Sequence, residues 1–203
     1  MGGRGASSSM GGIGTPNDAT EHYVSGEGMW INDYLRGRGD FGELSDSERA
    51  YLSDLDRATS GTIADKKLYR SVDASAIFGD MTGLEYESLV DRLVYGDNSA
   101  PVKASSDKFL GQTGKTITEK GFMSTTADRS VAEDWGGFTG SDKPVVMEIT
   151  TSKRTKGVDV SSYDKNVSSA DAQNERLLAR GQSYKVDNIT AKNGQIYVEV
   201  TMK

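Results

Sequence analysis

The sequence contains no cysteine and a single histidine, His22, and these shortages exclude several kinds of chemistry. Thiolate nucleophiles, disulfide frameworks and cysteine-based zinc sites all need cysteine. A catalytic triad with a histidine base would depend on His22, which we interpret as a surface residue beside a glycine-rich N-terminus. Any catalysis must therefore rest on carboxylates, hydroxyls, amides and a few basic groups, and no metal site is expected.

Long basic runs and long apolar runs are also missing. The 203 residues carry a formal net charge of -6 without any cluster of Lys and Arg, which a phosphate-binding surface would show. Nucleic acid is therefore not expected as a partner, and a small molecule or a protein is favoured. No stretch approaches the length of a transmembrane helix, and the N-terminus lacks the apolar core of a Sec signal peptide. The localisation stays unknown at this point.

The first part of the chain differs in composition from the rest. Residues 1–26 are rich in Gly and Ser and show no hydrophobic periodicity, so they are predicted to form a flexible leader or linker. Residues 27–203 are predicted to form one folded domain, for which their number is sufficient.

Periodicity predicts helices early in this domain and strands later. Helices are expected near Trp30–Leu35, after the capping box of Ser45 and Glu48, and from about Leu84 to Val94. The Asn-Gly pair at 193–194 between two alternating segments predicts a hairpin. The fold class is therefore α+β with a mainly antiparallel sheet. The predicted strands cover residues 67–72, 121–126, 144–151, 175–181, 183–190 and 195–202.

Three motifs with chemical potential follow one another along these strands. Arg70 lies within the first strand, Ser124-Thr125-Thr126 ends the second, and Gln173-x-Glu175 opens a later one. Each motif is common by itself, and their order and settings together give them meaning.

In this order the sequence resembles the Arg-Ser-Glu class of mono-ADP-ribosyltransferases, which occurs among bacterial toxins, effectors and phage proteins. The resemblance covers roughly residues 28–203. It implies the ADP-ribosyltransferase-like fold, in which N-terminal helices precede a split sheet around an NAD cleft, with NAD as substrate and no metal. The matching segments read Leu68-Tyr69-Arg70, Gly121-Phe122-Met123-Ser124-Thr125-Thr126 and Gln173-Asn174-Glu175-Arg176-Leu177-Leu178.

The reaction suits a site built from carboxylates. Release of nicotinamide from NAD breaks a glycosidic bond through an oxocarbenium-like transition state, which a nearby carboxylate stabilises. By the resemblance, Glu175 bonds the ribose 2′-hydroxyl and stabilises the cation, and Arg70 binds NAD phosphate through its planar guanidinium. Ser124 holds Glu175 and the substrate in place, and Gln173 orients the acceptor side chain.

The resemblance assigns further cofactor contacts. Ser71 stands where the family often has Gly and would use its backbone, and Thr125 and Thr126 complete the hydroxyl motif. The loop predicted over 127–143 contains Trp135 and Phe138, either of which could pack on nicotinamide, and Phe138 is assigned. Tyr163 is interpreted as either a target-protein contact or a structural residue.

Other readings of the sequence stay open or are rejected. GQTGKT at 111–116 lacks the first Gly of a phosphate-binding P-loop and leads into a strand, so that site is rejected. Glu48, Asp54 and Asp56 are interpreted as the solvated face of a helix rather than a metal site or glycosidase site. A non-catalytic binding module of a larger structural protein and an NAD glycohydrolase remain alternatives.

The resemblance also implies partners and a place of action. The expected partners are NAD and an unidentified target protein, in a target or host cytoplasm, and an immunity protein is allowed. Delivery would then depend on a larger chain or a virion. Gln173 in place of Glu resembles Rho-modifying exoenzymes and indicates an acceptor other than arginine.

Overall fold

The computed structural model describes residues 15–26, 30–138, 141–162 and 174–203, with the side chains of 135–138 left out. In the described part, six of the seven helices precede residue 111 and seven of the eight strands follow it. The helices are α1 (Pro16–Val24), α2 (Trp30–Arg36), α3 (Asp46–Ala58), α4 (Ser75–Phe78), α5 (Gly83–Leu93), α6 (Ala100–Leu110) and α7 (Arg129–Phe138). The strands are β1 (Lys67–Asp73), β2 (Thr116–Thr118), β3 (Met123–Thr126), β4 (Pro144–Thr150), β5 (Gly157–Asp159), β6 (Glu175–Leu178), β7 (Ser183–Lys192) and β8 (Gln195–Met202).

The chain divides into two compact units. The described residues of the first unit fall within Met1–Ile63, Glu119–Ser124 and Thr155–Gln182, and those of the second within Ala64–Thr118, Thr125–Arg154 and Ser183–Lys203. The chain therefore passes from one unit to the other several times.

Helices α1, α2 and α3 enclose the core of the first unit. The predicted capping box of α3 is present, because the Ser45 hydroxyl accepts from Glu48 N–H and the Glu48 carboxylate accepts from Ser45 N–H. Aromatic and aliphatic side chains fill the space between the helices. The buried members of this core are Ala19, Tyr23, Ile31, Leu44, Tyr51, Leu55, Phe122, Val160 and Leu177.

Helix α1 corrects the predicted boundary of the leader. Thr15 caps the helix, because its side-chain oxygen accepts from Asp18 N–H at 3.2 Å. Pro16 occupies the first turn. Ala19 and Tyr23 are 0% and 1% exposed. Burial of a large side chain stabilises a fold by about 2 kcal/mol. Residues 15–26 therefore belong to the folded part, and the prediction that they are part of a flexible leader was wrong. Residues 1–14 lie outside the described residues.

His22 also differs from its interpretation as a residue beside a flexible tail. It lies on α1, and its ring packs edge-on against the ring of Tyr51 on α3, with centroids 5.3 Å apart and planes at 88°. This geometry is the preferred one for aromatic pairs. His22 therefore helps to hold α1 on α3.

The strands of the first unit are short. β5 and β6 pair antiparallel, with Gly157 opposite Leu178 and Asp159 opposite Arg176. The end of β6 is tied to α3 by Arg180, whose guanidinium donates two hydrogen bonds of 2.8 Å to Asp56.

The second unit is built on a larger sheet in the order β2-β7-β8-β4-β1-β3. β4 and β8 pair in parallel, whereas the pairs of β1 with β3 and β4, of β2 with β7, and of β7 with β8 are antiparallel. Asn193 and Gly194 join β7 to β8 with φ of 53° and 79°, as their sequence predicted. The mainly antiparallel α+β architecture is confirmed.

The regular elements of the second unit that were not predicted include helices α6 and α7. Residues 129–138, predicted as loop, form α7, where the Asp128 carboxylate accepts from Ser130 N–H at 2.9 Å as a cap. Helix α6 was not predicted because its sequence shows no apolar stripe. One of its two buried residues, Ser106, is polar, and the other is Phe109. The turn after α6 leads into strand β2, which was not predicted, and the strand expected after the rejected P-loop segment is β3. None of the described helices is both long enough and apolar enough to cross a membrane.

Candidate active site

The pairing of β1 with β3 determines which motif residues share a face in the second unit. Tyr69 lies opposite Thr126, so their side chains are on the same face of the sheet. Arg70 and Thr125, one position away on each strand, therefore share the other face. This pairing brings together two residues of the predicted site, the half-buried Arg70 and the buried Thr125.

Ser71 and Thr126 occupy the face of Tyr69. Ser71 lies opposite Val146, which packs in one cluster with Tyr69 and Ala132, and its side-chain oxygen is buried without a hydrogen-bond partner among the described residues. The hydroxymethyl group that Ser71 adds to the usual Gly is thus on the opposite face from Arg70. The Thr126 hydroxyl accepts from Asp128 N–H at 2.9 Å, which shapes the turn into α7.

A buried carboxylate of the same unit has a structural setting. Glu148 on β4 is 9% exposed and accepts hydrogen bonds from Lys67 and from Lys192, the latter at 3.5 Å. Burial raises the pKa of this carboxyl, but the two ammonium groups outweigh burial and hold its pKa below the usual range.

Ser124, in the first unit, lies two residues after Phe122, whose backbone N–H and C=O are both bound by side chains of α2. Asn32 accepts from Phe122 N–H at 2.8 Å, and Arg36 donates to Phe122 C=O at 3.4 Å. A Cβ on Gly121 would stand 2.6 Å from the Asn32 amide oxygen, so glycine is required by this close approach. The Gly-Phe before the Ser-Thr-Thr motif therefore has a packing reason.

Glu119 completes this anchor. Its carboxylate accepts from Gly121 N–H at 2.8 Å and from Arg36 Nε at 3.0 Å. Asn32 and Arg36 were not singled out in the sequence, because their partners lie more than 80 residues away along the chain. The start of β3 is thus fixed by side chains of α2.

Glu175 opens β6, which lies next to β3, and Met123 and Ser124 at the start of β3 belong to the first unit like β6 itself. Glu175 and Ser124, both residues of the first unit, therefore stand on adjacent strands. Glu175 is 7% exposed, and its backbone carbonyl oxygen accepts from Val160 N–H at 3.1 Å. A carboxylate shielded from water in this way interacts strongly with a developing positive charge.

The residue before Glu175 is not extended. Asn174 has φ of 46°, in the left-handed region, and β6 begins after it. The motif Gln173-x-Glu175 would place both side chains on one face only in an extended segment, and Asn174 between them is not extended. Gln173 itself lies outside the described residues, as do Tyr163 and the side chains of Trp135 and Phe138.

Comparison with protein families now identifies the chain. A sequence profile described as ADP-ribosyltransferase exoenzyme matches residues 15–203. The chain belongs to the ADP-ribosyltransferase exoenzyme family. The match begins at the cap of α1 and runs through both units. No curated protein sequence matches this chain.

Solved structures of such enzymes share the fold. A structure of C3stau2 from S. aureus with NAD is 21% identical, with a TM-score of 0.66 over 93% of this chain and 86% of that one. The Clostridium limosum C3 exoenzyme is also 21% identical, with a TM-score of 0.64 over 93% and 84%. The Vis toxin of Vibrio splendidus is 15% identical, with a TM-score of 0.59 over 93% and 72%.

The predicted family, fold class and type of enzyme are therefore confirmed. This chain is an NAD-dependent mono-ADP-ribosyltransferase of the toxin type, whose substrate is NAD. Among the described residues of this transferase, no group of three or more acidic or His side chains is arranged to hold a metal ion. The individual roles of its site residues, the Gln-x-Glu motif among them, stay predictions.

Proposed function

We propose that this transferase attaches ADP-ribose to a side chain of a target protein, with Glu175 as the catalytic carboxylate. The observation that carries the proposal is the burial of Glu175 at the start of β6, beside the strand of Ser124. The other buried glutamate described above is matched by two lysines and belongs to the framework of its sheet.

The reaction begins with loss of nicotinamide. The bond between the ribose carbon and the nicotinamide nitrogen breaks, both electrons leave with nicotinamide, and positive charge develops on the ribose. The negative charge of Glu175 stabilises that cation, and its second oxygen accepts from the 2′-hydroxyl. A fixed group of this kind lowers the barrier by about 3 kcal/mol when water is excluded.

Arg70 and Thr125 are proposed to hold the dinucleotide. Their common face on β1 and β3 supports this role, since a guanidinium binds phosphate oxygens bidentately and a neighbouring hydroxyl can donate to a third oxygen. Ser71 contributes through its backbone, and Thr126 through the turn that it forms with Asp128. Ser124 positions Glu175, and Phe138 packs on nicotinamide.

Gln173 is proposed to position the acceptor. Its neutral side chain cannot stabilise an oxocarbenium ion, but it can bond an incoming amide or hydroxyl group. Because Gln173 stands where Rho-modifying exoenzymes of similar sequence also have Gln, we propose an acceptor side chain other than arginine. As a toxin-type enzyme the protein acts in a host cell, and we propose delivery within a larger chain or a virion.

The test combines isotope-labelled NAD, the purified chain and a host lysate, with mass spectrometry of any labelled protein. The intact chain is expected to label one or a few proteins. Gln173→Ala is expected to keep NAD cleavage and to lose about tenfold in labelling, the effect of one hydrogen bond of about 1.4 kcal/mol. NAD cleavage without any labelling would indicate a glycohydrolase, and neither activity would indicate a non-catalytic module.

A further inference from the structure

The residue after Glu175 holds the backbone around it. Arg176 Nη1 donates to the carbonyl oxygen of Asn174 at 3.2 Å, to its amide oxygen at 3.0 Å and to the carbonyl oxygen of Glu175 at 3.1 Å. One guanidinium nitrogen therefore binds the peptide groups on both sides of the Glu175 α-carbon.

Arg176 is itself held in place by Asp159. The two residues are opposite each other on β6 and β5, and Nη1 of Arg176 lies 3.1 Å from the Asp159 carboxylate. That carboxylate also accepts from the backbone N–H of Ser161 at 3.0 Å and from its hydroxyl at 2.6 Å. Burial raises the pKa of Asp159, but the bonds from Ser161 and the charge of Arg176 together hold that pKa below its usual range.

The backbone that Arg176 binds is in an unusual conformation. A left-handed φ of 46° is unfavourable for residues with a side chain, and asparagine is among the few that tolerate it. Such a conformation persists where the surroundings hold it, and such residues concentrate at active sites. Here both the carbonyl and the side-chain oxygen of Asn174 are bound by the same guanidinium.

Successive side chains of a strand point to opposite faces, so the Arg176 guanidinium is on the face away from the Glu175 carboxylate. Its effect on chemistry would therefore pass through the backbone. We propose that Arg176, aligned by Asp159, is a positioning residue that fixes the Glu175 carboxylate by holding the left-handed turn at Asn174. This inference rests on the proposed catalytic role of Glu175.

The first test replaces the guanidinium by an ammonium group. Lys keeps the charge in Arg176→Lys, but it lacks the Nη1 group that makes all of these bonds and presents its donors from a different position and in a different geometry. The turnover number for NAD cleavage is expected to fall between about tenfold and hundredfold, the effect of a displacement of a reacting group by about 1 Å, while KM for NAD is unchanged. Asp159→Asn is expected to have a smaller effect in the same direction.

A second Arg-Asp pair offers a matched control. It joins Arg180, two residues after the end of β6, to Asp56 on α3. Arg180 binds Asp56 through two bonds of 2.8 Å but contacts no peptide group next to Glu175. Arg180→Lys is expected to leave the turnover number unchanged. Circular dichroism and thermal melting of each variant separate loss of fold from loss of positioning.

Two substitutions at Asn174 test the backbone conformation itself. Asn174→Gly and Asn174→Ala both remove the side-chain oxygen, but glycine adopts positive φ freely. The glycine variant is expected to keep several times more NAD cleavage than the alanine variant. Equal activities would show that the left-handed turn is irrelevant.

The outcomes distinguish this inference from the proposed function. If the intact chain does not cleave NAD, or Glu175→Gln still does, the proposed function fails and Arg176 has no catalytic group to position. If both of those results are as expected and Arg176→Lys keeps its turnover number, the inference alone is overturned. A parallel loss of activity in Arg176→Lys and Arg180→Lys would overturn it as well.

Discussion

Two glutamates, one in each unit, are almost wholly buried, and their settings differ. Glu148 in the second unit accepts from Lys67 and Lys192, and Lys192 also binds Glu199 at 3.0 Å. Glu175 in the first unit starts a short strand, after a left-handed residue whose oxygens are bound by Arg176. Burial alone therefore does not mark a catalytic carboxylate, and the support around each group does.

The surroundings of Glu148 extend the comparison. Tyr197 accepts from Arg129 at 2.9 Å and donates to Glu133, and Lys192 lies over its ring at 5.0 Å. Together with the contacts of Glu148, these interactions connect α7, β1, β4, β7 and β8 of the second unit. Around Ser124 and Glu175 in the first unit, by contrast, side chains also bond directly to the backbone of the motif strands, at Gly121 and Phe122 and on both sides of the Glu175 α-carbon.

The sharpest test of this difference is a pair of identical substitutions. Glu175→Gln removes the charge that stabilises the oxocarbenium ion, so NAD cleavage is expected to fall by at least about a hundredfold. Glu148→Gln is expected to change cleavage by less than about threefold, because its charge is balanced within the sheet. Turnover of labelled NAD by the two folded variants measures both. Equal losses would remove the distinction between the two carboxylates.

A second test concerns the close packing that fixes Ser124. Gly121→Ala inserts a methyl group against Asn32 and Arg36, where a Cβ has no room. Overpacking of this kind reduces the free energy of unfolding by about 1–3 kcal/mol. Urea denaturation measures the change. As a control, Gly83→Ala meets open space at the start of α5, so no loss of stability is expected there and the midpoint should stay the same or rise slightly. A Gly121→Ala variant with wild-type stability would contradict the backbone anchor.

The smallest expected effect is a dependence of stability on acid. The pKa of Glu148 is lower in the folded protein than its ordinary value of 4.5, so its contribution is present above that value and is lost as the pH falls through the folded pKa. Glu148→Gln should therefore lower the melting temperature near neutrality and reduce its decrease between about pH 5 and pH 3. Melting curves across this range check the expectation, and parallel curves for both proteins would contradict it.

Much of the site could be placed on its elements from local sequence. The strands of Arg70, Ser124 and Glu175 and the hairpin at Asn193–Gly194 lie at the predicted places, although the strands of Ser124 and Glu175 are shorter than predicted. These features depend on residues close together in the chain, through side-chain alternation, capping and turn preference. The order of the motifs was also sufficient to indicate the family.

The tertiary structure decided features whose partners are distant in the chain. The Gly-rich composition of residues 1–26 gave no indication of α1. This helix is stabilised because Ala19 and Tyr23 are buried in a core that includes residues of α2 and α3 and Phe122. The left-handed backbone conformation of Asn174 is held by Arg176, which Asp159 on β5 aligns. Similarly, the N–H of Phe122 is bound by Asn32, 90 residues away in the chain. The sequence by itself determined which residues could carry the chemistry and on which strands they lie. How those residues are held was decided by long-range packing and hydrogen bonds, because their energies exist only once distant segments meet.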